Sequence, residues 1–177
     1  MFIESPSKGY RQEVNSENRA LTDCVTESKF LHYNSHEGNA FVWDFPGYDY
    51  DAGDTVMFLR NDSDTELHIH HIYLYSDTGT KVQIHTPVST TATGTAVTGV
   101  NLNLKSGNVA ESTAKQDETG NTQGVILHSE YLPANTPETF FKEDGYEVIL
   151  GKNDCIAVDL VTAGTMAYGH IVGYFHE

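Results

Sequence analysis

Nine histidines are spread over 177 residues, and three of them, His68, His70 and His71, fall within four positions. Imidazole is the commonest protein ligand for borderline divalent metals, and two histidines two residues apart on a strand project from one face. His68 and His70 are therefore the candidate metal ligands. His85, His128 or His170 on neighbouring strands could complete a three-ligand set with an open position. The competing readings are histidines held by hydrogen bonds or solvent, and an interface ion shared by three chains around an axis near His68 or His70. A second candidate chemistry is calcium ligation by Asp49, Asp51 and Asp54, with Asp62 and Asp64 in the next turn. That spacing lacks the glycine and distal glutamate of a helix–loop–helix calcium site, which favours a solvated acidic loop. Third, Tyr48 and Tyr50 fall in a stretch that reads as loop by composition, residues 46–54, where their rings could stack on a sugar. Trp43 alternates with Phe41 and Phe45 and reads as core. No nucleophile elbow, phosphate-binding loop or dinucleotide glycine pattern occurs.

The elements that must position these groups centre on residues 55–85. Three strands are predicted there, 55–60, 66–75 and 80–85, joined by Asn61-Asp62-Ser63-Asp64 and Ser76-Asp77-Thr78-Gly79. In the middle strand Leu67 and Ile69 share one parity while Ile72 and Leu74 fall on the other. One extra residue at His70-His71, a β-bulge, returns all four to one buried face and turns His68, Tyr73 and Tyr75 outward. Further extended segments are predicted at 21–26, 29–33, 40–45, 97–104, 109–114, 125–129, 139–141, 146–150, 155–162 and 166–176. Sustained helical periodicity is missing. Ten to twelve strands at spacings of roughly eight to twelve residues describe an all-β sandwich or barrel, with an antiparallel jelly-roll-like β-sandwich preferred.

The length fits one domain, residues 19–177, preceded by an extended N-terminal arm, residues 1–18, with only Phe2, Ile3, Tyr10 and Val14 to pack. A net charge of −15 with ten Lys and Arg argues against nucleic-acid and anionic-membrane partners, which need a basic footprint. Neither a membrane span nor a secretory signal is read. Cys24 and Cys155 fit buried free thiols, with a disulfide left open. No motif calls for a cofactor.

The run Val14-Asn15-Ser16-Glu17-Asn18-Arg19-Ala20-Leu21 leads into Val25-Thr26-Glu27-Ser28. It is followed by Val56-Met57-Phe58-Leu59-Arg60-Asn61 and by Leu67-His68-Ile69 with Ile72. Farther on come residues 97–103 with Ser106-Gly107-Asn108, then Leu150-Gly151-Lys152-Asn153-Asp154 before residues 156–160 and 167–174. This order of features resembles the small head decoration (cement) and minor capsid-associated virion proteins of tailed bacteriophages. The resemblance implies a jelly-roll-like fold, no enzymatic activity, a homo-oligomer that is often a trimer, and the major capsid protein as partner. It also implies synthesis in the host cytoplasm and residence on the capsid surface, with arm residues Phe2, Ile3 and Tyr10 as candidate capsid contacts. A receptor- or carbohydrate-binding module at a fibre or tail, led by Tyr48 and Tyr50, is the alternative. A cupin-like metalloprotein built on His68 and His70 is a third reading, although cupins carry a glutamate soon after the paired histidines where this chain has Ile72-Tyr73-Leu74-Tyr75-Ser76.

Overall fold

The computed structural model describes residues 2–4, 11–13, 28–89, 93–118, 121–141 and 147–176, the first two segments as backbone alone. In chain order the elements are β1 (Phe2–Glu4), β2 (Arg11–Glu13), α1 (Lys29–His32) running into a π-helical turn (Tyr33–Glu37), β3 (Ala40–Tyr50), β4 (Thr55–Asn61), β5 (Glu66–Ser76) and β6 (Thr80–Pro87). There follow β7 (Thr95–Val97), β8 (Gly99–Asn101), β9 (Ser112–Gln116), β10 (Gln123–Leu132), β11 (Glu138–Phe140), β12 (Val148–Leu150), β13 (Cys155–Leu160) and β14 (Gly164–His176).

The parity change in β5 resolves as the sequence predicts. β14 pairs Val172 with His71 and Gly173 with Ile69, so His70 is the one residue without an opposite number. Leu67, Ile69, Ile72 and Leu74 all face the interior and are fully buried. Without the bulge, Leu67 and Ile69 would face the opposite way from Ile72 and Leu74, and one side of the strand would have turned its polar side chains inward.

Two six-stranded antiparallel sheets pack face to face, in the orders β10-β6-β13-β4-β9-β7 and β11-β5-β14-β3-β8, with β12 also pairing β5. Reduced to the eight principal strands, the orders are β3-β14-β5-β11 and β4-β13-β6-β10. Consecutive strands alternate between the sheets except at β6 and β10, which pair within one sheet, and the last two return beside the first two, which is the jelly-roll path. Residues 88–122 are inserted between β6 and β10. They carry β9 and β7 onto the free edge of β4 and β8 onto the free edge of β3, so one excursion extends both sheets. The core is the interdigitated inner faces: Phe41, Trp43, Phe45, Met57, Leu59, Val82, Ile84, Ile156, Val158, Leu160, Ile171 and Phe175 among others. Trp43 is fully buried, as its alternation with Phe41 and Phe45 predicts, and its indole N–H donates to Ser112 Oγ at 3.0 Å.

Three local expectations are corrected. Residues 29–33, predicted extended, are helical: the Ser28 hydroxyl caps the turn by accepting from Leu31 N–H, and Gly38 ends it in the left-handed conformation. Residues 46–50, predicted loop, belong to β3, because two register irregularities opposite β14 absorb Pro46 and Gly47. Residues 97–104 are not one strand, since β7 and β8 lie in different sheets. At the N-terminus β1 and β2 pair with each other as an antiparallel ladder, Phe2 opposite Glu13 and Ile3 opposite Gln12, while Tyr10 lies outside the described residues. Cys24 also lies outside them. Cys155 is a buried free thiol, and burial raises its pKa. No helix among the described residues is long and apolar enough to cross a membrane.

Candidate functional site

The bulge gives β5 an outer face as well defined as its inner one. Across the β5/β14 ladder, outward residues stand directly opposite each other: Glu66 and His176, His68 and Tyr174, His71 and Val172, Tyr73 and His170, Tyr75 and Tyr168. Directly opposed aromatic pairs of this kind stabilise a ladder by roughly 0.2–1 kcal/mol each. Here they stack as rings: Tyr75 on Tyr168 at 4.6 Å, Tyr73 on His170 at 5.0 Å and His68 on Tyr174 at 5.0 Å between centroids. The helical segment lies over one end of this ladder. Phe30 stacks on His70 at 4.3 Å, and Tyr33 stacks on Tyr174 at 5.0 Å with its edge toward His176. His68 is consequently only 3% exposed, although it points away from the core.

A buried imidazole must place its two nitrogens. His68 Nδ1 lies 2.9 Å from Glu147 Oε1, a carboxylate oxygen that also accepts from Tyr174 Oη at 2.5 Å. Burial raises the Glu147 pKa, but the hydrogen bonds from Tyr174 and His68 outweigh it and hold the carboxyl below its usual range. Tyr174, buried and beside that carboxylate, is pushed upward and stays a donor. A carboxylate at Nδ1 fixes the proton there and leaves a lone pair at Nε2. Nε2 is buried and makes no hydrogen bond; Glu66 Oε2 lies 3.4 Å away, outside hydrogen-bond geometry. Glu66, His68 and His176 offer ligand atoms that all lie within 4.8 Å of one another, the one such group of three among the described residues.

The sequence therefore points to His68 and misses its companions. His70 is the bulged residue and packs on Phe30, so the proposed His68/His70 pair is split. His85 lies in the other sheet, fully buried, with Nε2 2.8 Å from Asp159 Oδ2, whose other oxygen accepts from Thr55 Oγ1 at 2.7 Å. His128 sits beside Glu130 on β10, and His170 is stacked on Tyr73. His71 and His170 both have depressed pKa values. Burial is the chief cause for each, and for His71, brought to about 4, the neighbouring His70 and His170 add to it.

The other candidates dissolve into local structure. Tyr50 is buried, its hydroxyl 2.5 Å from Ser76 Oγ. Tyr48 donates to the Val56 carbonyl at 3.0 Å and accepts from Asp117 N–H at 3.0 Å, and burial raises its pKa strongly. Both belong to β3 and not to a loop, Tyr50 buried and Tyr48 half-buried with its hydroxyl engaged. Three of the five aspartates are occupied by separate donors: Asp54 by the Asp51 N–H, Asp62 by Arg60 and Thr113, and Asp64 by Lys152.

A different surface stands out on the opposite sheet. β10 is an edge strand ten residues long, and it exposes Val125 (69%), Ile126, Leu127 and Tyr131 (66%), with Val88 beside its first residues. Comparison with protein-family models, with curated proteins and with solved structures returned no significant match to this chain.

Proposed function

We propose that this chain is a non-enzymatic structural protein of a tailed-phage virion, a decoration or cement protein that assembles as a homo-oligomer on the outer surface of the head and stabilises it. The order of sequence features from Val14 to the C-terminus motivates the virion assignment, and the observation that supports an assembling role is the β10 edge. A long edge strand bearing apolar side chains is a template for association unless something covers it. Burying what Val125, Ile126 and Leu127 still expose contributes at most about 1.5–3 kcal/mol each, less ~0.5–1.5 kcal/mol for ordering each side chain, so the patch supplies part of what offsets the roughly 4–15 kcal/mol cost of association and strand pairing along the edge supplies the rest. The occupant in this reading is a second copy of the chain. Joining three copies raises the effective concentration of every weak capsid contact, including those assigned to Phe2, Ile3 and Tyr10 of the arm.

Quantitative mass spectrometry of purified virions tests the reading. Hundreds of copies per particle establish a shell-wide decoration protein, a few tens move it to a vertex, fibre or tail, and absence from the particle refutes it. Sedimentation of the isolated protein tests the edge separately: Val125→Asp with Leu127→Asp is expected to yield monomers, and an unchanged oligomer removes β10 from the account. Deleting residues 1–18 is expected to weaken capsid binding without unfolding the body.

A further inference from the structure

We propose that the chain binds one divalent first-row metal ion of the Zn²⁺ class through His68 Nε2, His176 and Glu66, at the end of the β5/β14 ladder. The inference is independent of the virion reading.

Four observations converge on it. The donors are fixed by backbone register: Glu66 and His68 are two apart on β5, outside the bulge, and His176 is directly opposite Glu66 on β14. Their chemistry, two imidazoles and a carboxylate, is that of three-ligand sites that leave a coordination position for water. His68 is buried with Nε2 making no hydrogen bond, its nearest acceptor the Glu66 carboxylate at 3.4 Å, so the hydrogen-bond network accounts for Nδ1 and leaves Nε2 at the cost of an unmade bond. Finally, Glu147 on Nδ1 supplies the carboxylate–histidine relay that orients metal-binding imidazoles and raises their basicity.

The geometry needs little adjustment. Donors each about 2.1 Å from a tetrahedral ion lie roughly 3.4 Å apart. His68 Nε2 and Glu66 Oε2 already have that separation. Glu66 is exposed and His176 half-buried, so rotation of these two side chains closes the set around a His68 that Tyr174 and Glu147 hold still. The ion would tie the last residues of β14 to the start of β5.

The test uses the full-length chain without a histidine tag, dialysed against chelator and titrated calorimetrically with Zn²⁺ alone. One ion per chain is expected, with Tm raised by about 5–10 °C at a hundredfold excess over Kd. Because His68 is buried and its removal could unfold the chain, the deciding variants are Glu66→Gln and His176→Ala. Each is expected to keep its metal-free melting profile and to lose affinity about tenfold or more, and the double variant to lose stoichiometric binding. His128→Ala, at an exposed His–Glu pair, should change nothing. Stoichiometric binding that persists in the double variant, or its absence from the unaltered chain, overturns the proposal.

Discussion

His68 and His85 begin from the same position. Each is buried, each sets one ring nitrogen within hydrogen-bond distance of a carboxylate, and each leaves its other nitrogen without a hydrogen bond. They lie on the outward sides of opposite sheets, and what separates them is the second nitrogen. His68 Nε2 faces Glu66 and His176 at the rim of the ladder, whereas His85 belongs to no converging group of ligands among the described residues. Asp159 is tied down further by Thr55, which makes the His85 pair a closed polar link joining β4, β6 and β13. Burial and one carboxylate thus produce an oriented imidazole; whether that imidazole is a strut or a ligand depends on what cross-strand register brings to its far side.

The comparison breaks most visibly at the strut. Asp159→Ala leaves His85 buried with neither nitrogen satisfied and is expected to cost about 3 kcal/mol in urea unfolding, while the folded variant still binds one Zn²⁺. Loss of zinc binding there would show that the two histidines are not separable. Next in size is Gly173→Ala. A Cβ at Gly173 would meet the His68 carbonyl oxygen at 2.6 Å, next to the bulge. We expect a loss of about 1–3 kcal/mol together with weaker zinc binding, since β14 must move away from the strand carrying Glu66 and His68. Stability loss with unchanged affinity would separate the site from the register that is said to build it.

Tyr174→Phe is a smaller change. It removes one donor to Glu147 and should cost about 1 kcal/mol and roughly tenfold in zinc affinity, by loosening the carboxylate that orients His68. The smallest effect concerns the middle of the ladder. His71 is held neutral down to about pH 4, and His170 is shifted the same way. The unfolded chain takes up these protons near pH 6.5, so the stability they contribute is complete above that value and is lost as pH falls toward 4. Tm measured without metal should decline over that window, and His71→Phe should make the decline shallower by a few degrees at most. An equal slope would remove His71 from the balance.

How much of this was legible follows from what each inference needed. The β5 bulge was readable because four apolar residues within eight positions demand one face, and only one insertion reconciles them. The all-β sandwich or barrel class follows from strand spacing, which does not by itself separate a jelly roll from other sandwiches. The metal-ligand set was not readable, because Glu66 and His176 are joined by register between strands about a hundred residues apart, and Glu147 arrives from a third segment. Adjacent histidines in sequence drew attention to His70, whose place in the bulge takes it away from His68. The helix at Lys29–His32 is hidden in the sequence because Phe30 and Tyr33 are strand-favouring aromatics; they are aromatic because they cover the ladder, which is a tertiary reason. Tyr48 and Tyr50 looked like loop residues because Pro46 and Gly47 precede them, yet a strand with bulges tolerates both.

The most direct test of the distinction between strut and ligand is the ring-nitrogen NMR spectrum of the histidines in the full-length chain, recorded before and after one equivalent of Zn²⁺. The account predicts that His68 Nε2 and one ring nitrogen of His176 shift while His68 Nδ1 stays protonated and both nitrogens of His85 stay where they were. Shifts at His85, or an unmoved His68, would contradict it.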